Sequence, residues 1–132
     1  MSSKKIKSDE LFAVIQMELA SYSDEVLALV DEEASSAADG AVKELRQTSP
    51  VGRRKRYRRG WRKLKDERTP VSVRYVVHNK TDPGLTHLLE FGHVIKNKYG
   101  AYGRTTPRPH IKPAEENAAK AFADAVTRKL EG

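Results

Sequence analysis

The chain has 132 residues, of which 33% are charged and 38% hydrophobic, and its formal net charge is +7. This length suits one domain with one modest core, so we expect residues 1–132 to form a single domain. No apolar run approaches the roughly 20 residues of a membrane span. No apolar signal core follows the basic N-terminus, which argues against secretion. The absence of cysteine excludes disulfides and thiolate metal sites, and it fits synthesis in a reducing cytosol.

The charge is unevenly distributed along the chain. Residues 1–52 carry 5 basic and 10 acidic side chains, a balance of −5, whereas residues 53–112 carry 17 basic and 4 acidic side chains, a balance of +13. Residues 113–132 have a balance of −1. A domain with one strongly basic segment between acidic ends can meet a polyanion with one surface and an acidic protein with another.

The N-terminal half is predicted to be helical. Residues 1–8 are typical of a flexible polar tail, and Leu11, Ile15 and Leu19 recur every fourth residue, which predicts a helix from Asp9.

A break near Ser23 is expected, because Ser23 followed by Asp24 and Glu25 is a typical helix start. A second helix should run from Asp24 to about Gln47, where the dipeptide Ser49-Pro50 ends it. One face of this helix carries a stripe of apolar residues. Gly40 lies beside the stripe, which predicts that another element approaches the helix closely there. The stripe consists of Val26, Val30, Ala34, Ala37, Ala41 and Leu45.

Two strands, each followed by a turn, are predicted next. Residues 57–65 alternate as a strand that places Tyr57 and Trp61 on one face, and residues 66–70 form a turn. Residues 71–77 alternate with period two and form the second strand. A further turn follows at residues 79–84.

The C-terminal part is predicted to contain two helices separated by a loop. Residues 85–91 form a short helix that Gly92 ends, and Val94-Ile95 starts a strand. Residues 96–108 are basic and glycine-containing, which predicts a mobile loop or an extended hairpin. The last helix places Pro113 at its first position.

Together these elements predict an α+β fold. A long N-terminal helical segment, a small antiparallel sheet, a short helix after the second strand and a C-terminal helix packed on the sheet follow one another.

A dense basic segment between residues 53 and 65 is the sharpest chemical feature. Its guanidinium and ammonium groups suit phosphate oxygens, so contact with nucleic acid competes with the interpretation as a solvated loop and strand edge. Trp61 could stack on bases, but its alternation with Tyr57 favours a core position. No sequence-reading DNA-binding motif accompanies the segment. The cationic residues are Arg53, Arg54, Lys55, Arg56, Arg58, Arg59, Arg62, Lys63 and Lys65.

The sequence gives little support for a catalytic metal site or a catalytic nucleophile. His87, Glu90 and His93 suggest a metal-dependent hydrolase, yet their spacing differs from His-Glu-x-x-His, and Gly92 would break the helix before His93. A hydrogen bond between Glu90 and a histidine is the favoured interpretation. The chain also lacks a Gly-x-Ser-x-Gly elbow and a phosphate-binding glycine loop. We therefore expect no enzyme activity and no cofactor.

An ordered series of short motifs resembles the tail-completion or head–tail joining proteins of long-tailed phages. The series begins with Ser49-Pro50 and Gly60-Trp61, continues with a strand ending in Asn79 and with the segment 85–93, LTHLLEFGH, and ends with the segment 108–114, RPHIKPA. It covers roughly residues 40–130. Each motif alone is weak, and the order and spacing carry the resemblance.

The resemblance implies a non-enzymatic virion protein of the phage neck, made in the bacterial cytoplasm. Such proteins assemble as a homo-oligomeric ring, commonly a hexamer, between a head-side connector or head-closure protein and a tail terminator or tail tube protein. DNA crosses the channel of the ring. The alternative is a free protein that binds nucleic acid without sequence preference through the basic segment.

The resemblance also divides the candidate residues into two sets. The basic segment and the loop residues Lys96, Lys98, Tyr99, Tyr102 and Arg104 are expected to contact DNA or a partner protein. A structural role in holding the fold together is implied for the motif residues Trp61, Asn79, Glu90, Gly92, His93, Pro109, His110 and Pro113.

Overall fold

The computed structural model describes residues 10–18, 23–51, 55–67 and 72–131. The expected tail at residues 1–8 lies outside these ranges. Five strands and four helices are present in the described part. The strands are β1 (Glu10–Glu18), β2 (Trp61–Lys65), β3 (Ser72–Asn79), β4 (Val94–Asn97) and β5 (Gly100–Arg104). The helices are α1 (Asp24–Thr48), α2 (Arg56–Arg59), α3 (Thr86–Phe91) and α4 (Ile111–Glu131), and a 3-10 turn at Pro83–Leu85 precedes α3.

The fold is α+β, as predicted, but the helix expected from Asp9 is wrong. The segment forms β1, which pairs antiparallel with β3. Residues 11–15 are five consecutive apolar residues, and such a run suits a buried strand as well as a helix. Pairing with β3 decides between them, and this partner lies about 60 residues away, beyond the reach of a local periodicity.

The long helix α1 confirms the second helical prediction closely. Ser23 is its N-cap, and the Ser23 hydroxyl accepts a hydrogen bond from the Val26 N–H at 3.2 Å. Asp24 and Glu25 occupy its first turn, where carboxylates oppose the helix dipole favourably. At 25 residues the helix is about 36 Å long.

The core lies between α1, α4 and a three-stranded sheet in the order β1-β3-β2. β3 is the central strand and is antiparallel to both neighbours; Trp61 is opposite Asn79, and Lys65 is opposite Tyr75. Helix α4 packs along α1 and touches β1 at the sheet edge. The alanines of the α1 stripe are buried, as their small side chains allow close packing. Gly40 differs from the prediction, because a β-carbon added there would meet no atom of another element within 4 Å.

The predicted strand at residues 57–65 is only half right. Residues 56–59 form the single helical turn α2, and the strand begins at Trp61. Lys55 precedes this turn with a left-handed φ of 53°. The alternation of Tyr57 and Trp61 reflects two buried aromatic residues, one in a helical turn and one in a strand.

The segment after α3 contains an antiparallel hairpin. β4 and β5 pair only with each other, so they form a separate two-stranded sheet. Of the two structures predicted for residues 96–108, a mobile loop and an extended hairpin, the chain therefore adopts the hairpin. Residues 105–110 lead from the hairpin to α4 without regular structure. Pro113 lies two residues after the start of α4, not at its first position.

Candidate protein-interaction site

The motif residues meet around the side chain of Trp61, which is fully buried. Its indole N–H donates to the Ser49 hydroxyl at 2.8 Å, and that hydroxyl donates to the Leu45 carbonyl at 2.5 Å. The Ser49 carbonyl accepts from the Arg58 guanidinium at 2.5 Å. Ser49 thus ties the end of α1 to the start of β2.

Two further rings complete the cluster. The Tyr57, Trp61 and His110 rings meet edge to face, with centroids 5.5 to 6.2 Å apart. His110 Nδ1 lies 2.7 Å from the Arg108 carbonyl and 3.0 Å from a Glu90 carboxylate oxygen. Both of these oxygens are acceptors, so Nδ1 donates to them, and Nε2 lies 2.7 Å from the Tyr57 hydroxyl. Burial, then the negative charges of Glu90 and Asp82, raise the pKa of Tyr57, so the phenol remains protonated.

Glu90 caps the last helix. Its carboxylate accepts hydrogen bonds from three consecutive backbone N–H groups, those of His110 at 2.7 Å, Ile111 at 2.8 Å and Lys112 at 3.0 Å. These are the donors that the first turn of a helix leaves unpaired. Burial alone would raise the pKa of Glu90, but these N–H groups, with His110, hold it below its usual value. Glu90 therefore fixes α4 to α3 as an anion at the positive end of the helix.

A third group of hydrogen bonds that connects separate elements, after those of Ser49 and Glu90, surrounds Asn79. Its side-chain amide donates to the Tyr57 carbonyl at 2.7 Å, and its side-chain oxygen accepts from the Asp82 N–H at 2.8 Å. Gly60 lies against this side chain; a β-carbon there would stand 2.6 Å from the Asn79 oxygen and 2.1 Å from the Thr81 hydroxyl. The pair Gly60-Trp61 thus places a residue without a side chain beside the turn and an indole in the core.

The remaining motif residues are exposed or contact the base of the β4–β5 hairpin. Gly92 is buried with a φ of +73°, and a β-carbon there would stand 2.5 Å from the Thr105 carbonyl. His93, Pro109 and Pro113 are exposed. The backbone N–H of His93 donates to the Thr105 hydroxyl at 2.9 Å, which joins the two sides of the hairpin base.

The basic segment is divided by the fold. Lys63 pairs with Asp39 at 2.8 Å and Lys65 with Asp31 at 3.0 Å, both acids on α1. Arg56 pairs with Asp82 at 3.3 Å. Arg58 donates to the Ser49 carbonyl, and Arg62 donates to the carbonyls of Arg59 and Trp61. Lys55 and Arg59 are exposed. Arg53 and Arg54 lie outside the described residues.

The hairpin residues singled out by sequence are placed at its tip and base. Lys98 and Tyr99 are exposed in the turn between β4 and β5, with the Lys98 ammonium 5.1 Å from the centre of the Tyr99 ring. Arg104 is exposed at the end of β5. The side chains of Lys96 and Tyr102 lie outside what the structure describes.

The residues suggested for a hydrolase are not brought together. Glu90 points to α4, whereas His87 stacks on Phe91 with ring centres 6.1 Å apart and His93 contacts the Thr105 hydroxyl. Among the described residues, no group of three or more potential ligands could hold a metal ion. The hydrogen bond expected between Glu90 and a histidine is made with His110.

A groove that sequence analysis missed lies beside the cluster. Its lining includes Val51, Leu85 and Leu88, and its volume is about 810 Å³. Lys55, Arg56, Arg104 and Arg108 also line the groove. The lining residues come from four separate segments, so no local pattern could predict the groove. The sequence shows only that apolar residues occur close to basic ones in these segments.

Comparison with known proteins identifies the family. A family model described as "Bacteriophage HK97-gp10, putative tail-component" matches residues 13–92. The match covers more than half of the chain. The chain belongs to the HK97-gp10-like family. A search of curated proteins found no match, and a search of solved structures found none.

Membership of the HK97-gp10-like family confirms the phage tail or neck class predicted from the motifs, and with it a structural protein of the virion. The extent of the match differs from the motif series. It begins at residue 13, within β1, where no diagnostic motif was recognised, and it ends at Gly92, before the hairpin and α4. None of the helices in the described residues is long and apolar enough to cross a membrane.

Proposed function

We propose that this protein is a structural component of the phage neck. In this proposal it forms a ring that joins the DNA-filled head to the tail around the DNA channel. The observation that carries the proposal is the family match over residues 13–92, because that family is one of phage tail components. The role is mechanical, and it needs no catalytic residue, metal or cofactor.

The proposed partners are further copies of this chain, commonly six in a ring, a head-side connector or head-closure protein, and a tail terminator or tail tube protein. Exposed apolar side chains support a role in assembly, because large apolar patches on a soluble protein mark interaction surfaces. They cluster after α3 and around the hairpin, where Phe91, Val94, Ile95 and Tyr99 are all exposed.

The alternative function, binding of free nucleic acid, receives less support from the fold. Lys63 and Lys65 already pair with acids of α1, and Arg58 and Arg62 donate to backbone carbonyls. Phosphate binding through the whole segment would compete with these contacts. We therefore propose that the cations left exposed contact proteins or channel DNA within the assembled neck.

A phage that lacks the gene tests the neck role. The expected lysate contains DNA-filled heads and complete but unattached tails, seen by negative-stain electron microscopy, and it regains joined particles when the gene is supplied from a plasmid. Normal, infectious particles from the mutant, or the absence of the protein from purified wild-type particles, would contradict the proposal.

A further inference from the structure

The groove beside α3 is lined by apolar side chains, here called its floor, and by cationic side chains, here called its rim. Val51, Leu85 and Leu88 are 46%, 41% and 41% exposed, and they face a cavity of about 810 Å³. Removal of such side chains from water favours association. The groove therefore favours an occupant that presents apolar surface.

The rim selects the charge of that occupant. Lys55, Arg104 and Arg108 make no ion pair with a carboxylate of the described residues, whereas Arg56 is paired with Asp82. An acidic protein surface satisfies both the rim and the floor. A DNA backbone would satisfy the rim alone, and residues 1–8 of this chain carry three lysines and no acid, so neither matches the groove.

A matching acidic surface lies at the other end of α1. Asp24 and Glu25 are exposed in its first turn, and neither pairs with a cation of the described residues. Further along the helix, Asp31 and Asp39 are paired with Lys65 and Lys63. The same turns carry Val26 and Leu27, which pack against the core and leave only part of their surface exposed. An acidic end with some apolar surface is thus left without a partner.

The two surfaces lie at opposite ends of one long helix. Pro50 and Val51 of the groove directly follow the C-terminal end of α1, and Asp24 and Glu25 begin the helix about 36 Å away. A single copy therefore cannot satisfy its own groove through its own acidic end. Two copies can, if they are arranged head to tail.

We propose that the groove binds a second copy of this chain, through the acidic start of that copy's α1. Such a contact joins two different surfaces, and repetition of a heterologous contact closes into a ring when the rotation between subunits permits it. The inference rests on the proposed neck ring and identifies the surfaces that join its subunits. Lys55, Arg104 and Arg108 would then pair with Asp24 and Glu25 of the neighbour.

Cysteine cross-linking in assembled particles tests this contact, because the chain contains no cysteine of its own. Phages are prepared with Glu25→Cys, with Leu88→Cys and with both changes, all at exposed positions. Particles are treated with a short bis-maleimide and analysed on denaturing gels. The double variant should give a ladder of at least three cross-linked copies, because each subunit then reaches a neighbour on both sides, and each single variant should remain monomeric.

Lys120→Cys combined with Leu88→Cys is the matched control, since Lys120 is exposed on α4. It should give no ladder. The inference would be overturned if the Glu25→Cys and Leu88→Cys particles contained the protein as monomers only, or if Leu88→Cys alone gave a dimer joined groove to groove or a product with a cysteine of another virion protein. Absence of the wild-type chain from particles would instead overturn the proposed function.

Discussion

At the scale of single residues, three buried polar joints connect elements that are far apart in sequence. Ser49 links α1 to β2, Asn79 links β3 to α2, and Glu90 links α3 to α4. A buried donor or acceptor that loses its partner costs about 1–3 kcal/mol. Removal of a side chain at any of these joints should therefore destabilise the fold.

Replacement of Glu90 by glutamine should destabilise the protein by about 2 kcal/mol at neutral pH, because the carboxylate accepts three backbone N–H bonds. Urea unfolding measures the loss. Glu67→Gln, at an exposed position, should change the stability by less than about 0.5 kcal/mol.

The Glu90 contribution should also depend on pH. Its folded-state pKa is below the usual 4.5, so the stabilisation is fully present above that usual value and is lost as the pH falls through the lower folded-state pKa. The difference between wild type and Glu90→Gln should therefore shrink with acidification. A difference independent of pH from 7 to about 3 would contradict the assignment of the carboxylate as the helix cap.

Two glycine-to-alanine substitutions should have opposite effects. Gly60→Ala places a methyl group against the Thr81 hydroxyl and the Asn79 side chain and should destabilise the protein by about 1–3 kcal/mol. Gly40→Ala meets open space within α1 and should stabilise it by about 0.5–1 kcal/mol. Midpoints of urea unfolding measure both, and equal stability of Gly60→Ala and wild type would refute the close packing at this turn.

At the scale of elements, sequence predicted those whose signals are local. The start of α1 follows from Ser23 and two acids, and β3 follows from its alternation. The failures occurred where tertiary contacts decide. β1 forms because β3 pairs with it, and α2 interrupts the predicted strand because Tyr57 reaches His110, more than 50 residues away. The groove was missed for the same reason.

The β4–β5 hairpin should be the least stable regular element in the described part of the chain. Its strands pair only with each other, and an isolated two-stranded hairpin is marginally stable in water. In the free protein, backbone amides of residues 94–104 should exchange with solvent at least about 100-fold faster than those of β3. Hydrogen exchange followed by NMR measures this, and equal protection of the hairpin and β3 would refute the expectation.

At the scale of the whole molecule, the charged side chains that are unevenly distributed along the sequence are either paired within the fold or exposed on its surface. Part of the charge is neutralised within the fold, where Lys63 and Lys65 of β2 pair with acids of α1. Some of the other charges lie at the two ends of α1, in its acidic first turn and in the cationic groove. Net charge along the sequence predicted that acidic and basic surfaces exist, but only the fold determines which of them face each other.

The most direct test of the neck role is a particle reconstruction of the head–tail junction. A ring of this chain should lie between the head-side connector and the tail, with α1 of each copy reaching the groove of the next. Density for the chain at the tail tip, in the capsid wall or nowhere in the particle would contradict it.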